Sequence, residues 1–195
     1  MKKALLVVLL VLIIDQFSKI WIKTHLGLWE EIYIFDWFQL RFVENNGAAW
    51  GIELGGDLGK LILTIFRIVA ISAIGYWLHL SVKRNYHPYY VVSIALIFSG
   101  ALGNIIDSIF YGVIFNDSYQ QVASLFHPEP YGKLLYGKVV DMFYFPFFSF
   151  NLPYWIPFVG GNNFTFFNAI FNIADAAIFL GVNILIFFSS KISPK

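Results

Sequence analysis

The sequence contains no cysteine, and that absence removes several kinds of chemistry. Without thiols the chain has no disulfide framework, no thiolate metal site and no cysteine nucleophile. Any catalytic or binding group must therefore be built from oxygen and nitrogen, as carboxylates, hydroxyls, amides, amines or imidazoles.

Charge is also scarce. Charged residues make up 13% of the chain, where a soluble domain carries about 25%. The 13 basic and 12 acidic residues leave a net charge of only +1, so we expect no nucleic-acid partner. Hydrophobic residues reach 58%, which is the composition of a membrane protein.

The short motifs of common hydrolases and zinc enzymes are missing as well. The sequence contains no G-x-S-x-G and no H-E-x-x-H. The 4 histidines are scattered, at His25, His79, His87 and His127. We therefore expect neither a serine nucleophile on a strand-to-helix turn nor a metal site.

What the chain does have is long apolar segments. A transmembrane helix needs about 20 mostly apolar residues to cross about 30 Å of hydrocarbon. Four segments qualify, at about 4–24, 59–80, 89–111 and 166–189. They predict four transmembrane helices in a single integral-membrane domain over residues 1–195.

Basic residues set the expected orientation. Lys2 and Lys3 precede the first span. "DQFSK" follows its apolar run where a cleaved signal peptide would have small residues, so we interpret the span as an uncleaved helix. Other basic residues lie between spans two and three and after span four, at Lys83, Arg84, Lys191 and Lys195. The positive-inside rule then places both termini in the cytoplasm and the two larger connections outside.

The two outer connections predict different structures. In the first, about 25–58, "FQLRFV" alternates apolar and polar residues as a half-buried strand does. In the second, about 112–165, the aromatic and proline-broken "DMFYFPFFSFNLPYWIPFVGG" is typical of the membrane interface. The predicted fold is an all-α membrane protein with four transmembrane helices, a small outer-face β-sheet and an interfacial aromatic loop against membrane lipid.

Ionisable residues inside the spans are the next signal. Each costs about 2.5 to 3.5 kcal/mol in a bilayer and marks a functional hypothesis. At about 1.5 Å of rise per residue, five of them fall in the outer half of their spans: Asp15, Lys19, Arg67, Asp107 and Asp175. A transporter needs polar groups through the full depth of the membrane or paired half-helices at its midplane. The one-sided distribution therefore favours an enzyme that acts at the outer leaflet.

Two asparagine–aspartate pairs share a spacing. Asn104 and Asp107, like Asn172 and Asp175, stand at i and i+3, so each pair occupies one helix face. The amide can hydrogen-bond the carboxylate or a substrate backbone. The spacing leaves Asp107 open between a structural and a chemical role and favours a chemical role for Asp175.

Asp15 and Lys19 stand at i and i+4 and can form an ion pair, which we interpret as structural. A second acid for Asp175 is offered by "YGKVVDMFYF", which places Asp141 in an apolar setting. Two aspartates held a few ångströms apart share one proton, so one can activate water while the other protonates a carbonyl oxygen. Spacing alone makes this dyad a hypothesis.

Five motifs in order resemble one family. They are "DQFSK", "NNGAAWG", "GALGNIID", "GKVVD" and "FNIAD". The chain resembles the bacterial lipoprotein signal peptidases (signal peptidase II), which are intramembrane aspartyl proteases. Because the motifs run through the whole chain and match the expected topology, the resemblance is specific.

The resemblance implies a residue set. Asp141 and Asp175 would be the catalytic dyad, and Asp15 and Lys19 would hold the helix bundle. Substrate-binding or dyad-supporting roles are expected at Asn45, Gly47, Asn104, Asp107, Asn172 and Arg67.

The resemblance also implies a substrate and a location. The substrate would be a prolipoprotein whose cysteine carries diacylglycerol, cut on the amino side of that cysteine, with no metal or cofactor. The enzyme would lie in the bacterial cytoplasmic (inner) membrane with its site toward the outer leaflet. The oligomeric state is left open, with a monomer favoured.

Two departures from the family pattern carry expectations of their own. "GNIIDS" has Ser108 where the family usually has arginine, and Arg67 is a candidate to supply that basic contact from span two. Asp107 and Asp141 are also separated by more residues than is usual between the corresponding positions in the family. We expect the intervening insertion, about 113–137, to cap the site, and the spacing keeps Asp107 as an alternative first acid.

A function of another class stays open beside the protease. In a small transporter or a non-catalytic membrane scaffold, the buried carboxylates would serve as packing or ion-binding groups. Cleavage of a lipid-modified prolipoprotein separates these alternatives.

Overall fold

The computed structural model describes residues 2–47 and 56–188. Its longest helices are α1 (Lys2–His25), α2 (Gly56–Lys83) and α3 (Pro88–Ile106). All three are long and apolar enough to cross a membrane, α3 together with the turns that continue it. The first three predicted spans are therefore confirmed as helices of membrane length.

The third helix changes its winding before it ends. A π-helical turn, Asp107–Tyr111, leads into the short helix α4 (Gly112–Ile114). Such turns insert an extra residue and redirect side chains, and they are frequent at functional sites. Here the change begins at Asp107, one of the predicted buried acids.

The last helix, α5 (Ile173–Phe187), starts later than the predicted boundary at residue 166. Asn172 caps it, because its side chain accepts a hydrogen bond from Asp175 N at 2.9 Å. The Asp175 carboxylate accepts one in return from Asn172 N at 3.3 Å, which completes a capping box. With 15 residues in its described part, α5 is shorter than the other three, so the fourth span remains a prediction.

A four-stranded antiparallel sheet has the strand order β1, β2, β3, β6. The strands are β1 (Glu31–Phe35), β2 (Phe38–Asn45), β3 (Val139–Tyr144) and β6 (Ile170–Phe171). The strand predicted at "FQLRFV" is confirmed within β2. Its alternation is imperfect, since Gln39 is buried opposite Tyr144.

A separate hairpin occupies the aromatic connection. Its strands are β4 (Phe148–Asn151) and β5 (Asn163–Phe166), paired antiparallel. The tip between them carries almost fully exposed aromatic side chains, including Tyr154 and Phe158. From Met142 to Ala174 the sequence has no charged residue and no histidine.

Glycines on α3 let the helices meet closely. A Cβ atom on Gly100 would collide with the carbonyl oxygen of Ala174 on α5. One on Gly103 would stand 3.2 Å from the carboxyl carbon of Asp15 on α1 and 3.3 Å from the Ala174 side chain. Small residues at such crossings allow close backbone approach. They bring the polar residues of α1, α3 and α5 together at one end of the bundle.

Candidate active site

A cavity of about 870 Å³ lies at that end of the bundle. This volume is typical of ligand sites. Gly47 lines it together with the polar residues Asn45, Arg67, Asn104, Asp141, Thr165, Asn168 and Asp175. A continuous stretch of the chain, residues 164–170, forms much of the remaining wall. Both proposed acids therefore line one cavity.

Asp141 lies on β3 with only 7% of its surface exposed. Asn172 Nδ2 donates to its Oδ1 at 2.7 Å, and Asn45 Nδ2 donates to its Oδ2. Burial raises the pKa of Asp141 to about 7, and the nearby Asp175 carboxylate adds to that rise. Lys19 and the two amide donors oppose the rise in pKa. A carboxyl group in this setting can hold or release a proton near neutral pH.

Asp175 lies in the first turn of α5. Its Oδ1 accepts a hydrogen bond from Asn104 Nδ2 at 2.8 Å, and its Oδ2 accepts one from the backbone of Asn172. The N-terminal turn of a helix carries partial positive charge, which favours a carboxylate. The two acids thus have different surroundings, one on a buried strand and one on a helix N-terminus.

Asn172 connects the two acids. It is fully buried, and its Nδ2 atom lies within hydrogen-bond distance of Asp141 Oδ1, of Asn104 Oδ1 at 3.1 Å and of the Val140 carbonyl at 3.2 Å. Its Oδ1 atom meanwhile caps α5. The sequence predicted that the Asn172 amide could bond the Asp175 carboxylate. The contacts between the two residues are instead those of the capping box, and the amide nitrogen donates to Asp141 on β3.

A fully buried charge cluster lies behind the cavity. Lys19 Nζ is 2.9 Å from Asp15 Oδ2 and 2.8 Å from Asp107 Oδ2, and all three side chains are 0% exposed. The predicted pair of Asp15 and Lys19 is therefore joined by a second acid. Asp107 does not line the cavity, because its carboxylate is directed to Lys19 and to Gln16 Nε2 at 2.9 Å.

Asn104 connects this cluster to the cavity. Its Oδ1 atom accepts from Lys19 Nζ at 2.8 Å, while its Nδ2 atom donates to Asp175. Asp15 supports the same region, since its Oδ1 accepts from the backbone N–H of Ala174 at 2.9 Å. The charge cluster thus fixes the side chain that holds Asp175.

Two cations on α2 hold the turn after β2. The Arg67 guanidinium donates to the carbonyl oxygen of Gly47, and Lys60 Nζ donates to that of Asn46 at 2.8 Å. Gly47 has φ 86°, a left-handed conformation that favours glycine, and a Cβ there would displace the Arg67 guanidinium. Arg67 also lines the cavity, and its buried Nη1 has no hydrogen-bond partner among residues 2–47 and 56–188.

Ser108 does not take the place of a basic residue in the cavity. It is fully buried, and its hydroxyl donates back to the Asn104 carbonyl at 3.1 Å within the helix. Of the motif "NNGAAWG", Asn45 and Gly47 line the cavity, and the residues after Gly47 are outside the described part of the chain.

The insertion at 113–137 is not a cap, and that expectation is corrected. No residue from it lines the cavity. Ser118 Oγ instead accepts from Lys23 Nζ at 2.7 Å, and Lys23 forms a buried ion pair with Glu44. Three aromatic rings stand 5.0 to 5.7 Å from the same ammonium group, those of Phe42, Phe115 and Tyr131. Burying this charge draws the insertion against α1 and β2.

The sequence analysis did not single out Gln16, Lys23 or Lys60. Lys23 and Lys60 carried a usable signal, because each is a lysine in an apolar helix and such residues are expensive unless partnered. Gln16 also carried a signal, because it is the second residue of the family motif "DQFSK". Its contacts with Asp107 and Tyr111 join residues from α1 and the end of α3.

The family model for signal peptidase (SPase) II matches residues 7–191. A lipoprotein signal peptidase of Porphyromonas gingivalis is 46% identical over 181 residues, covering 92% of this chain and 79% of that protein. The lipoprotein signal peptidase of Chlorobaculum parvum is 31% identical, with 96% and 94% covered.

Solved structures agree with the sequence relatives. One, described as a bacterial membrane enzyme structure obtained by the in meso method at 1.9 Å resolution, superposes with a TM-score of 0.62 at 27% identity and covers 96% of this chain and 92% of that one. A second, at 2.3 Å, gives a TM-score of 0.60 at 25% identity. The match to the family model and the relatives together show that the chain belongs to the signal peptidase II family of lipoprotein signal peptidases.

Proposed function

We propose that the chain is an intramembrane aspartyl endopeptidase that removes the signal peptide from diacylglyceryl-modified prolipoproteins, cutting on the amino side of the lipidated cysteine. The observation that carries the mechanism is that Asp141 and Asp175 line one cavity and are joined through Asn172. The names of the relatives, which are lipoprotein signal peptidases, support the substrate class.

The different surroundings of the two acids support a division of roles between them. Asp175 acts as the carboxylate that takes a proton from water, because Asn104 and the α5 N-terminus favour negative charge there. Asp141, whose pKa is raised to about 7, acts as the carboxylic acid. The water oxygen bonds to the scissile carbonyl carbon while Asp141 gives its proton to the carbonyl oxygen, forming a geminal diol.

Collapse of the diol completes hydrolysis. One diol hydroxyl returns its proton to Asp141 as the carbonyl re-forms, the C–N bond breaks, and Asp175 passes the proton it took from water to the leaving nitrogen. Both acids end in their starting protonation states. No metal or cofactor is needed for this sequence of steps.

Asp107 is the weaker candidate for the first acid. Its carboxylate is 0% exposed and 2.8 Å from Lys19, and it does not line the cavity. In the proposed enzyme it belongs with Asp15 and Lys19 to the cluster that fixes Asn104. Arg67, which does line the cavity, is the basic group available near Asp175.

The bundle supports a placement in the membrane. We propose four spans, both termini in the cytoplasm, the site toward the outer leaflet of the bacterial inner membrane, and the aromatic hairpin in contact with lipid. The polar cluster combines the C-terminal part of α1, the end of α3 and the start of α5, which is one end of an up-and-down bundle. A monomer contains all of the proposed site. The same one-sided distribution argues against a transporter.

The decisive experiment is cleavage of a lipid-modified prolipoprotein by the purified protein in detergent. Asp141→Asn and Asp175→Asn are each expected to abolish product at unchanged protein level and thermal stability. Full activity in both variants would exclude the dyad. Loss of activity in Asp107→Asn alone, with folding verified, would move the first acid to Asp107.

A further inference from the structure

Part of the cavity wall is formed by β5, a strand with one unpaired edge within the described residues. Residues 164–170 line the cavity without interruption and include most of β5, whereas no residue of β4 lines it. Within the described parts of the chain, β5 pairs only with β4. The cavity therefore lies on the β5 side of the hairpin.

The pairing register shows which backbone groups this edge presents. Leu152 N donates to the Asn162 carbonyl at 2.9 Å, so these two residues face each other across the hairpin. Along an antiparallel strand, the backbone N–H and C=O groups of successive residues point alternately toward the partner strand and away from it. Phe164 therefore bonds toward β4, while Ser149 and Thr165 form a pair without mutual backbone bonds. Their hydroxyls, 2.9 Å apart, fit the closer side-chain spacing of such a pair.

It follows that the N–H and carbonyl of Thr165 point away from β4, toward the cavity side. An unpaired edge is a template for another strand, and peptides commonly bind in this way. The chain runs on from Thr165 through residues 167–170 into β6, which pairs with the strand that carries Asp141. The edge thus leads directly to the acids.

We propose that an extended segment of the substrate peptide adds to the free edge of β5 as a third strand, held by backbone hydrogen bonds at Thr165. This inference rests on the proposed function and names the subsite that positions the scissile bond. The substrate residues that pair with β5 are several positions away from the scissile bond in the peptide, because β5 itself lies some distance along the cavity from Asp141 and Asp175.

The chemistry of the wall defines the segment that it accepts. The sequence has no charged side chain from Met142 to Ala174. Phe164 and Phe166 flank Thr165 and also line the cavity. An uncharged, apolar peptide segment loses little on lying against this part of the wall, whereas a charged one loses hydration and finds no charged side chain within residues 164–170. Backbone bonds supply the affinity, and the aromatic side chains exclude charge.

Proline substitution tests the edge, because proline removes the N–H and is tolerated where that group does not bond to the neighbouring strand. Thr165→Pro is compared with Thr165→Ala, which keeps the N–H and measures loss of the hydroxyl alone. Ser149→Pro and Ser149→Ala form the matched pair on β4, where the outward N–H faces away from the cavity. The readout is kcat/KM on the lipid-modified prolipoprotein.

The expected kcat/KM of Thr165→Pro is about tenfold below that of Thr165→Ala, mainly through a higher KM. A change of this size corresponds to the loss of one hydrogen bond. The kcat/KM values of Ser149→Pro and Ser149→Ala should differ by less than about twofold, because substitutions at exposed sites usually have small effects. Equal values for Thr165→Pro and Thr165→Ala, or an equal loss in Ser149→Pro, would overturn strand addition.

Binding separates this inference from the proposed function. A fluorescent prolipoprotein peptide that is N-methylated at the scissile amide is titrated against the same four variants. Weaker binding only in Thr165→Pro supports the subsite even if no variant, including the unmodified protein, cleaves. If the unmodified protein cleaves and Thr165→Pro binds the peptide as tightly as the unmodified protein does, the subsite is rejected and the proposed protease function stands.

Discussion

Asn172 donates a hydrogen bond from Nδ2 to Asp141 Oδ1 at 2.7 Å. The same side chain caps α5 through Oδ1, so one residue serves both helix stability and the orientation of an acid. These two roles can be separated, because serine keeps an N-cap oxygen but has no amide nitrogen.

Asn172→Ser is expected to keep most of the stability of the protein and to lose at least about tenfold in kcat, because Asp141 loses a donor that orients it. Asn172→Ala should lose activity and also about 1 kcal/mol of stability with the cap. Cleavage assays and thermal unfolding measure the two effects. Equal unfolding temperatures for both variants would contradict the capping role.

Activity should depend on pH through Asp141. Because this acid must donate a proton and burial raises its pKa to about 7, kcat/KM should fall as pH rises above about 7. Asn45→Ala removes a donor that opposes the rise in pKa, so the falling limb should move to higher pH. A pH profile that is flat from 6 to 9, on either side of about 7, would contradict the acid role of Asp141.

Stability should depend on pH through the same group. The folded pKa of about 7 lies above the ordinary value of 3.8, so the folded protein binds more protons between these values. Stability contributed by this group is present below about pH 4 and is lost as pH rises through about 7. Unfolding measured against pH should show a smaller slope in Asp141→Asn than in the unmodified protein, and identical slopes would contradict the shift.

The insertion should contribute to stability through Lys23. Lys23→Met leaves Glu44 buried with Lys138, at 3.3 Å, as its one charged partner among the described residues, and should cost about 3 to 5 kcal/mol. Lys23→Met combined with Glu44→Gln should recover part of this loss. Lys138→Met is the comparison and should cost less, since the Lys138 side chain is 35% exposed and Glu44 keeps its buried partner Lys23. Additive losses in the double variant would contradict a direct pair.

Arg67 should be needed for cleavage. Arg67→Ala frees the Gly47 carbonyl and removes the cation beside Asp175, so activity should fall at least about tenfold. Lys60→Met provides the comparison, because Lys60 holds the adjacent Asn46 carbonyl but does not line the cavity. Unchanged cleavage in Arg67→Ala would show that it does not replace the basic residue missing at Ser108.

The first three spans, the strand in the outer connection and the pairing of Asp15 with Lys19 could be predicted from the sequence. Each depends on local spacing or on the cost of charge in lipid, and both are properties of short segments. The family motifs also identified Asp141 and Asp175, whose catalytic roles remain predictions until cleavage is measured.

Tertiary structure decided the rest. The helix start at Ile173 depends on Asn172 finding acceptors on α3 and β3, and the role of Asp107 depends on Lys19 from α1. The insertion at 113–137 packs beside Lys23 instead of capping the site, since a buried ammonium group requires partners that lie far away in sequence. Sequence therefore determined which polar groups are buried, and packing determined their partners, because a buried charge is stabilised by the groups that the fold brings to it.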